Sequence, residues 1–417
     1  MGVGEDRALR DRARRVVPGG MYGHLDARTF PPGFPQFFVR GDGCRQWDAD
    51  GRGYVDLMCS WGPVVLGHHH PRVEAAVRAQ AARGDCLNGP GPVMVELAEL
   101  LVDTVASADW AMFSKNGTDA TTQGLMVARE ATGRDAVLVA RGAYHGAAPW
   151  ATPRRAGTTT ADRADLTRFE YNDLASVREA AAAVDDEVAA ILVTPHRHDA
   201  VVDQEPVDPA FARGVRELAD RLGAVLFLDD VRCGLRIDLR GSWEPLGVRP
   251  DLTAWSKAIA NGHPIAALTG AEALRDAASR LYSTGSFWFS AVAMAAAVAT
   301  ITTVRDTDAI ATMEAAGRRL CEGLAAQAAA HDLAVRLSGP PQMPFLTFVD
   351  DHRLATANAW TTACLRHGAY VHPWHNWFLS AAHGPDDVDE ALEATDRAFA
   401  ETRAHLTTGG PTLTAGP

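Results

Sequence analysis

From His70 onward the apolar positions of PRVEAAVRAQAARG recur at helical spacing, as do those of PVMVELAELLVDTVASA, and both stretches are predicted as helices. The pattern then changes. Short β-branched and aliphatic runs, DAVLVARG, AAILVTP, AVLFLDD and LTAWS, alternate with the Ala-rich helical stretches LASVREAAAAVDDE and PAFARGVRELADRLG. Such alternation predicts βαβ units and a mostly parallel sheet, the kind in which ligands sit beyond the carboxyl ends of the strands. Upstream, an Arg-rich helix is followed by RTFPPGFPQFFVRGDGCRQWDADGRGYVDL, which reads as short strands with DADGRG as a hairpin turn. Downstream, SFWFSAVAMAAAVATITTVRD is a long helix candidate. From about Thr307 two helices, two strands (LAVRLSG and MPFLTFV) and the last helix PDDVDEALEATDRAFAETRAHL suggest a separate α+β lobe. The chain is therefore expected to be α/β, with one large body and smaller terminal lobes.

Composition narrows the function. The 417 residues are 47% hydrophobic and 22% charged, ordinary for a globular protein, and a net charge of −12 argues against a nucleic-acid binder. The six cysteines are scattered with no CxxC pair, so reduced intracellular thiols are expected. No apolar run approaches 18 residues and the N-terminus shows no apolar core of a leader, so a cytoplasmic location and no membrane are expected. His68, His69 and His70 are adjacent and point different ways, so no metal site is expected.

The basic residues carry the strongest chemical hint. Of 40, only Lys115 and Lys257 are lysines, leaving 38 arginines. Arginine serves as a surface charge but cannot lose its proton, so a lysine kept at Lys257, at the end of the LTAWS run, suggests an amine nucleophile. AVLFLDD delivers Asp229 and Asp230 to the end of another strand 28 residues earlier, a length suited to one connection between neighbours. Asn116, Gly117 and Thr118 precede a helix and offer free amides to an anion, although a plain cap by Thr118 or Asp119 is the commoner use of such a start. Lys115, one residue away, reads as a solvated or anion-facing charge. Tyr144 and His145 follow another strand, where an aromatic plate could stack on a planar ligand. Ser283, Thr284 and Ser286 could face a further anion. An amine, an acid, an aromatic plate and an anion-binding helix start are together what pyridoxal 5′-phosphate requires.

At these residues the chain resembles the class III, fold-type I pyridoxal-phosphate aminotransferases, closest to the branch containing glutamate-1-semialdehyde 2,1-aminomutase. The resemblance runs from about Val17 to Glu401 through VVPGG, SKNGTDATTQGLMVARE, YHG, LDDVRCGLR, WEPLGVRPDLTAWSKAIANGHPIAAL and FLSAAHGPDDVDEALE. It implies a seven-stranded, mostly parallel sheet between helices in a large domain (61–305). A small domain would be drawn from both termini (1–60 and 306–405), with a flexible tail at 406–417. It implies that Lys257 forms the imine with the cofactor and shuttles the 1,3-proton transfer, while Asp229 pairs with the pyridine nitrogen between Tyr144 and Val231. Asn116, Gly117, Thr118 and His145 complete the cofactor site. Ser286 stands where the family reaches the phosphate of a neighbouring subunit, implying a homodimer with shared sites, and Ser60 and Trp61 line the substrate side. The branch's arginine after PGG gives way to MYGHLDART, with His24 and Asp26, and its glutamate before FLS gives way to His375 in HPWHNWFLS. His372, Trp374, His375, Asn376 and Trp377, with Trp61, Trp150 and Trp288, suggest an aromatic and imidazole-rich pocket. The implied activity is amino transfer from an amine donor to a carbonyl acceptor, expected in specialised metabolism. An aminomutase, racemase, epimerase or decarboxylase on the same scaffold, or a non-catalytic binder, are the alternatives.

Overall fold

The computed structural model describes residues 4–31, 33–198 and 200–408. Its chain divides into two compact units, a larger one of residues 71–199 and 205–310 and a smaller one of residues 1–70, 200–204 and 311–417.

The larger unit is built on a seven-stranded sheet in the order Trp110–Ser114, Ala266–Gly270, Leu252–Trp255, Val225–Asp229, Val188–Val193, Ala136–Ala140, Leu166–Phe169. Ala266–Gly270 is antiparallel to both neighbours and every other pairing is parallel. Along Val225–Asp229, Leu226 and Leu228 enter a core with Phe211 and Trp243, whereas Val225 and Phe227 enter another with Trp110 and Leu125. A strand buried on both faces needs an unbroken apolar run, and VLFL supplies it. The helix Pro209–Leu222 makes the crossover into this strand. Asp208 caps it by accepting from the Ala210 amide, Pro209 pre-sets its first turn, and Gly223 ends it in a left-handed conformation. Three strands, Trp110–Ser114, Leu166–Phe169 and Ala266–Gly270, are not distinct in the hydrophobic pattern. AALTG is rich in weak strand formers, and its Gly270 is there because the Trp110 ring lies where a side chain would go.

In the smaller unit Phe38–Asp42, Arg45–Asp48 and Gly53–Asp56 form an antiparallel meander, with Ala369–Tyr370 added parallel to the last strand. The DADGRG turn joins the second and third strands. Gly51 adopts φ +84° there and Asp48 accepts from the Arg52 amide at 2.8 Å. Trp360 stacks on Trp377 at 5.7 Å and packs against Phe399 and Phe348. Trp377 is fully buried in this core, which corrects the expectation that it lines a ligand pocket. The last helix, Pro385–Thr408, includes the first residues of the expected tail, and the rest of that tail lies outside the described residues. All six cysteines are free, and among the described residues no helix is long and apolar enough to cross a membrane.

Candidate active site

Val225–Asp229 and Leu252–Trp255 lie side by side and parallel, with Asp229 opposite Ala254. Their ends therefore bring Asp229 and, three residues beyond Ala254, Lys257 to the same edge of the sheet. Lys257 sits at φ +49°, opening the short turn Lys257–Ala260. A left-handed backbone costs a non-glycine residue roughly 1–2 kcal/mol, so the surroundings must hold it. Burial pulls the pKa of the Lys257 amine from 10.5 down to about 7; Arg232 adds to the fall, Asp229 opposes it and Arg236 adds less. Near neutral pH a large share of this amine is uncharged and nucleophilic. Lys115, the other lysine, donates its amine to the Pro264 carbonyl at 2.9 Å.

Asp229 is 5% exposed. Its Oδ2 accepts from His145 Nδ1 at 2.8 Å and its Oδ1 from the Val231 amide at 3.2 Å. A carboxylate only accepts, so Nδ1 carries the hydrogen, and His145 Nε2 is buried with no hydrogen-bond partner among the described residues. Trp150 stacks on the imidazole at 6.4 Å and is itself anchored through Nε1 to Thr122 Oγ1. The neighbouring acid has a different task. Asp230 accepts from both the amide and the hydroxyl of Ser242, and burial raises its pKa to about 7.

Asn116 caps the helix Gly117–Thr132. Its side chain accepts from the Asp119 amide at 3.2 Å, and Asp119 returns the bond to the Asn116 amide at 3.2 Å. The cap is thus Asn116, with Asp119 closing a capping box, rather than Thr118. The amides of Gly117 and Thr118 open the helix, where no acceptor exists within the helix itself. Two loops close on this start. A methyl on Gly117 would lie 2.8 Å from Val231 Cγ1, and one on Gly146, at φ +118°, would lie 2.5 Å from Thr118 Oγ1. Thr118 Oγ1 also accepts from the Ala147 amide at 3.0 Å. The structure thus brings Asn116, Gly117, Thr118, His145, Asp229 and Val231 into one neighbourhood, with exposed Tyr144 on the same loop as His145. Amides at a helix start suit a phosphate, a buried carboxylate suits a basic ring nitrogen and a neutral amine suits a carbonyl carbon. This donor set fits pyridoxal phosphate.

Ser286 is exposed and Trp288 half-buried, in the segment before the helix Ala291–Asp306. Trp288 folds back over Gly285, where any side chain would collide with the indole. Ser283 is half-buried, and its hydroxyl accepts from Gln123 Nε2 at 2.6 Å. Arg232 was legible only as part of the LDDVRCGLR motif. It is 8% exposed and its charge acts on Lys257, a proximity that a position three residues past Asp229 could have signalled.

The remaining candidates lie in the smaller unit. Cys59, Ser60 and Trp61 all have left-handed φ, at +45°, +56° and +66°. Asp56, buried, holds this turn by accepting from the Met58 and Cys59 amides at 2.9 and 3.0 Å, while His68 Nε2 lies 3.0 Å from its other oxygen. The turn presents an exposed Ser60 and a half-buried Trp61, whose ring meets His24, His372 and His375 edge-on. Asp26 is turned to Arg28, with Oδ1 2.8 Å from the guanidinium.

Comparison with known proteins agrees with these features. The family profile described as aminotransferase class-III matches residues 31–382. The aminopentol aminotransferase of Sphingopyxis macrogoltabida is 51% identical over 391 residues, covering 94% of this chain and 93% of the relative. The 3-aminobutyryl-CoA aminotransferase of Cloacimonas acidaminovorans is 31% identical, covering 96% and 97%. The solved FumI protein of Sphingopyxis sp. MTA144, in its pyridoxal-phosphate internal aldimine form, superposes with a TM-score of 0.96 at 49% identity over 99% of both chains. A glutamate-1-semialdehyde aminomutase from Pseudomonas aeruginosa shares the fold at a TM-score of 0.84 and 24% identity, covering 95% of this chain and 94% of its own.

Proposed function

The chain belongs to the class III aminotransferase family and is a pyridoxal-phosphate-dependent transaminase, and from that premise we propose which residues carry the reaction and what kind of amine they act on. Bound at the site, the cofactor supplies a carbonyl carbon to hold the amino group and an electron-withdrawing ring. The amides of Gly117 and Thr118, with Asn116 shaping the helix start, bind its phosphate. Tyr144 and Val231 flank the ring. Asp229, fixed by His145 and the Val231 amide, keeps a proton on the ring nitrogen. Lys257 Nζ, neutral in a large share of molecules at pH 7, takes the proton from the amine-bearing carbon and redelivers it in the 1,3-shift.

The donor we propose is an amine on a hydroxylated carbon chain, with a carbonyl compound as acceptor. Support comes from the 51% identity to a relative named for an aminopentol, and from a sequence that has Asp26 near the place of the aminomutase branch's carboxylate-binding arginine and His375 at that of its glutamate. His24, Ser60, Trp61, Trp288 and His375 receive this substrate. The enzyme works as a homodimer in which Ser286 reaches the phosphate held by the second copy. Exposed Leu87, Tyr282, Phe287 and Phe289 in the same unit give such a pairing its apolar surface, and light scattering of the purified protein tests it. A cytoplasmic location is supported by six free thiols.

The observation that carries the assignment is Lys257 beside Asp229 at the ends of paired strands, with its amine held near neutrality. In Lys257→Ala the near-visible absorbance of the cofactor-loaded protein disappears and amine conversion stops. A variant that retains both sinks the assignment.

A further inference from the structure

His145 holds Asp229, and within the same larger unit His145 is itself held from three sides. Its carbonyl lies 2.8 Å from the Thr121 hydroxyl, and its Nδ1 donates to Asp229 Oδ2 at 2.8 Å. Trp150, five residues further along the loop, covers the imidazole in an offset stack at 6.4 Å with 20° between the planes. Trp150 is half-buried, and its Nε1 donates to Thr122 Oγ1 at 3.0 Å, which fixes the way the indole faces. Two consecutive threonines of the helix Gly117–Thr132 thus set both rings, Thr121 through the backbone of His145 and Thr122 through the indole.

The other nitrogen of the imidazole gives this restraint a purpose. Nδ1 carries the hydrogen, so Nε2 holds a lone pair, and Nε2 is buried with no hydrogen-bond partner among the described residues. A second proton there would form an N–H with no acceptor, a costly state inside a protein. Water at Nε2 would supply the acceptor. The imidazole so charged would set a positive charge against Asp229 and cancel the carboxylate for a basic ring nitrogen placed before it. Other charged and titratable groups act on this corner from each neighbouring element. Arg232 and Lys257 lie beyond the two strand ends, Asp230 is turned to Ser242, Asp119 on the helix is turned to its capping box, and the Tyr144 phenol adjoins on the loop. None of them reaches His145 Nε2.

We propose that Trp150 is a positioning residue that keeps water from His145 Nε2, confines the imidazole to the neutral form that donates to Asp229, and so reserves the carboxylate's charge for the pyridine nitrogen of the cofactor. The inference rests on the role proposed above for Asp229 and adds the residue that protects it. Trp150 acts through His145 and touches neither cofactor nor substrate in this role.

The test follows the cofactor-loaded enzyme by proton NMR. The His145 Nδ1–H, bonded to a carboxylate and shut away from water, gives a far-downfield line, identified by its absence from His145→Gln. In the wild type this line stays in place from pH 5.5 to 8.5. In Trp150→Ala it broadens by exchange with water or moves as Nε2 titrates. Trp150→Phe, which keeps a ring over the imidazole, retains the wild-type line and separates the shield from a general loss of packing in the alanine variant. Single-turnover amine conversion is the second readout. An imidazole open to water titrates near 6.5, so about one-tenth of it stays neutral at pH 5.5. The rate of Trp150→Ala relative to wild type therefore falls about tenfold between pH 8.5 and 5.5, and the ionisation of Lys257, common to both, cancels from the ratio. A line in Trp150→Ala that neither broadens nor moves, in a variant that keeps its cofactor band, overturns the shielding role. A line that moves while the rate ratio stays flat leaves the shield standing and refutes the charge role given to Asp229.

Discussion

Replacing Arg232 with methionine removes the largest charged contribution that holds the Lys257 amine low. An ordinary lysine at 10.5 is neutral at pH 7 in about one molecule in three thousand, whereas one at about 7 is neutral in about half. Burial is the largest cause of that difference and Arg232 the next. Losing the guanidinium therefore moves the midpoint upward, and each whole pH step upward leaves about tenfold less neutral amine at pH 7. The rate at which cofactor-free enzyme takes up pyridoxal phosphate reads this directly, because only the neutral amine attacks a carbonyl. The near-visible band is followed after mixing, from pH 6 to 9, for the wild type, Arg232→Met and the charge-keeping Arg232→Lys. Ionisations of the free cofactor are common to all three curves, so a displacement between them belongs to the lysine. The expected result is a wild-type midpoint near 7, a similar one for Arg232→Lys and a higher one for Arg232→Met. A wild-type curve in Arg232→Met, or one displaced to lower pH, refutes the electrostatic reading. The effect on stability has a definite sign. The folded pKa is below the unfolded one, so between about 7 and 10.5 the unfolded chain holds more protons. Stability of the cofactor-free protein from this group therefore rises with pH across that window, and Arg232→Met narrows the window from below.

Asp229→Asn keeps an acceptor for His145 but loses the charge facing the ring nitrogen; amine conversion in a single turnover should fall about a hundredfold, with the bound-cofactor content unchanged. Gly124→Ala sets two effects against each other: alanine favours the helix by about 1 kcal/mol, but its methyl would run into the Phe227 ring, and overpacking of that kind costs about 1–3 kcal/mol. The variant should therefore be less stable to urea, and a more stable one would mean that the ring yields freely. Asp230, whose pKa burial raises from 3.8 to about 7, holds its proton more tightly folded than unfolded, so its contribution to stability is present below about 4 and is lost as pH rises through 7. Asp230→Asn should flatten that decline in thermal unfolding measured from pH 4 to 8.

Much of the sheet could be read from the chain because a strand covered on both faces must be apolar throughout. VLFL and VAAILV carry that requirement openly, and Val188–Val193 is buried at every position. Leu166–Phe169 could not be read the same way. It lies at the edge of the sheet, where exposed Arg168 breaks the pattern and only Phe169 is fully buried. Ala266–Gly270 was hidden for the opposite reason. It is fully buried, but Ala266, Ala267 and Gly270 are small, Gly270 because the Trp110 ring lies where a side chain would go, and small residues carry little strand signal.

The site divides along the same physical line. Lys257 and Asp229 stood out because their chemistry cannot be supplied by other residue types: no arginine can become a neutral amine, and no apolar residue can keep a ring nitrogen protonated. Asn116 was harder to assign, since a cap and an anion site use the same amides, and it does cap its helix while the Gly117 and Thr118 amides stay at the opening. Arg232 and Trp150 could not be weighted from sequence at all. What gives each its effect is a particular neighbour: Arg232 is poorly exposed and acts on Lys257, and Trp150 stacks on His145. Residues that act through their own covalent chemistry are legible one at a time. Residues that act through a neighbour, by lowering its pKa or by packing against it, become legible only when the fold has fixed their neighbours, and among 40 basic residues nothing in the composition singled out Arg232.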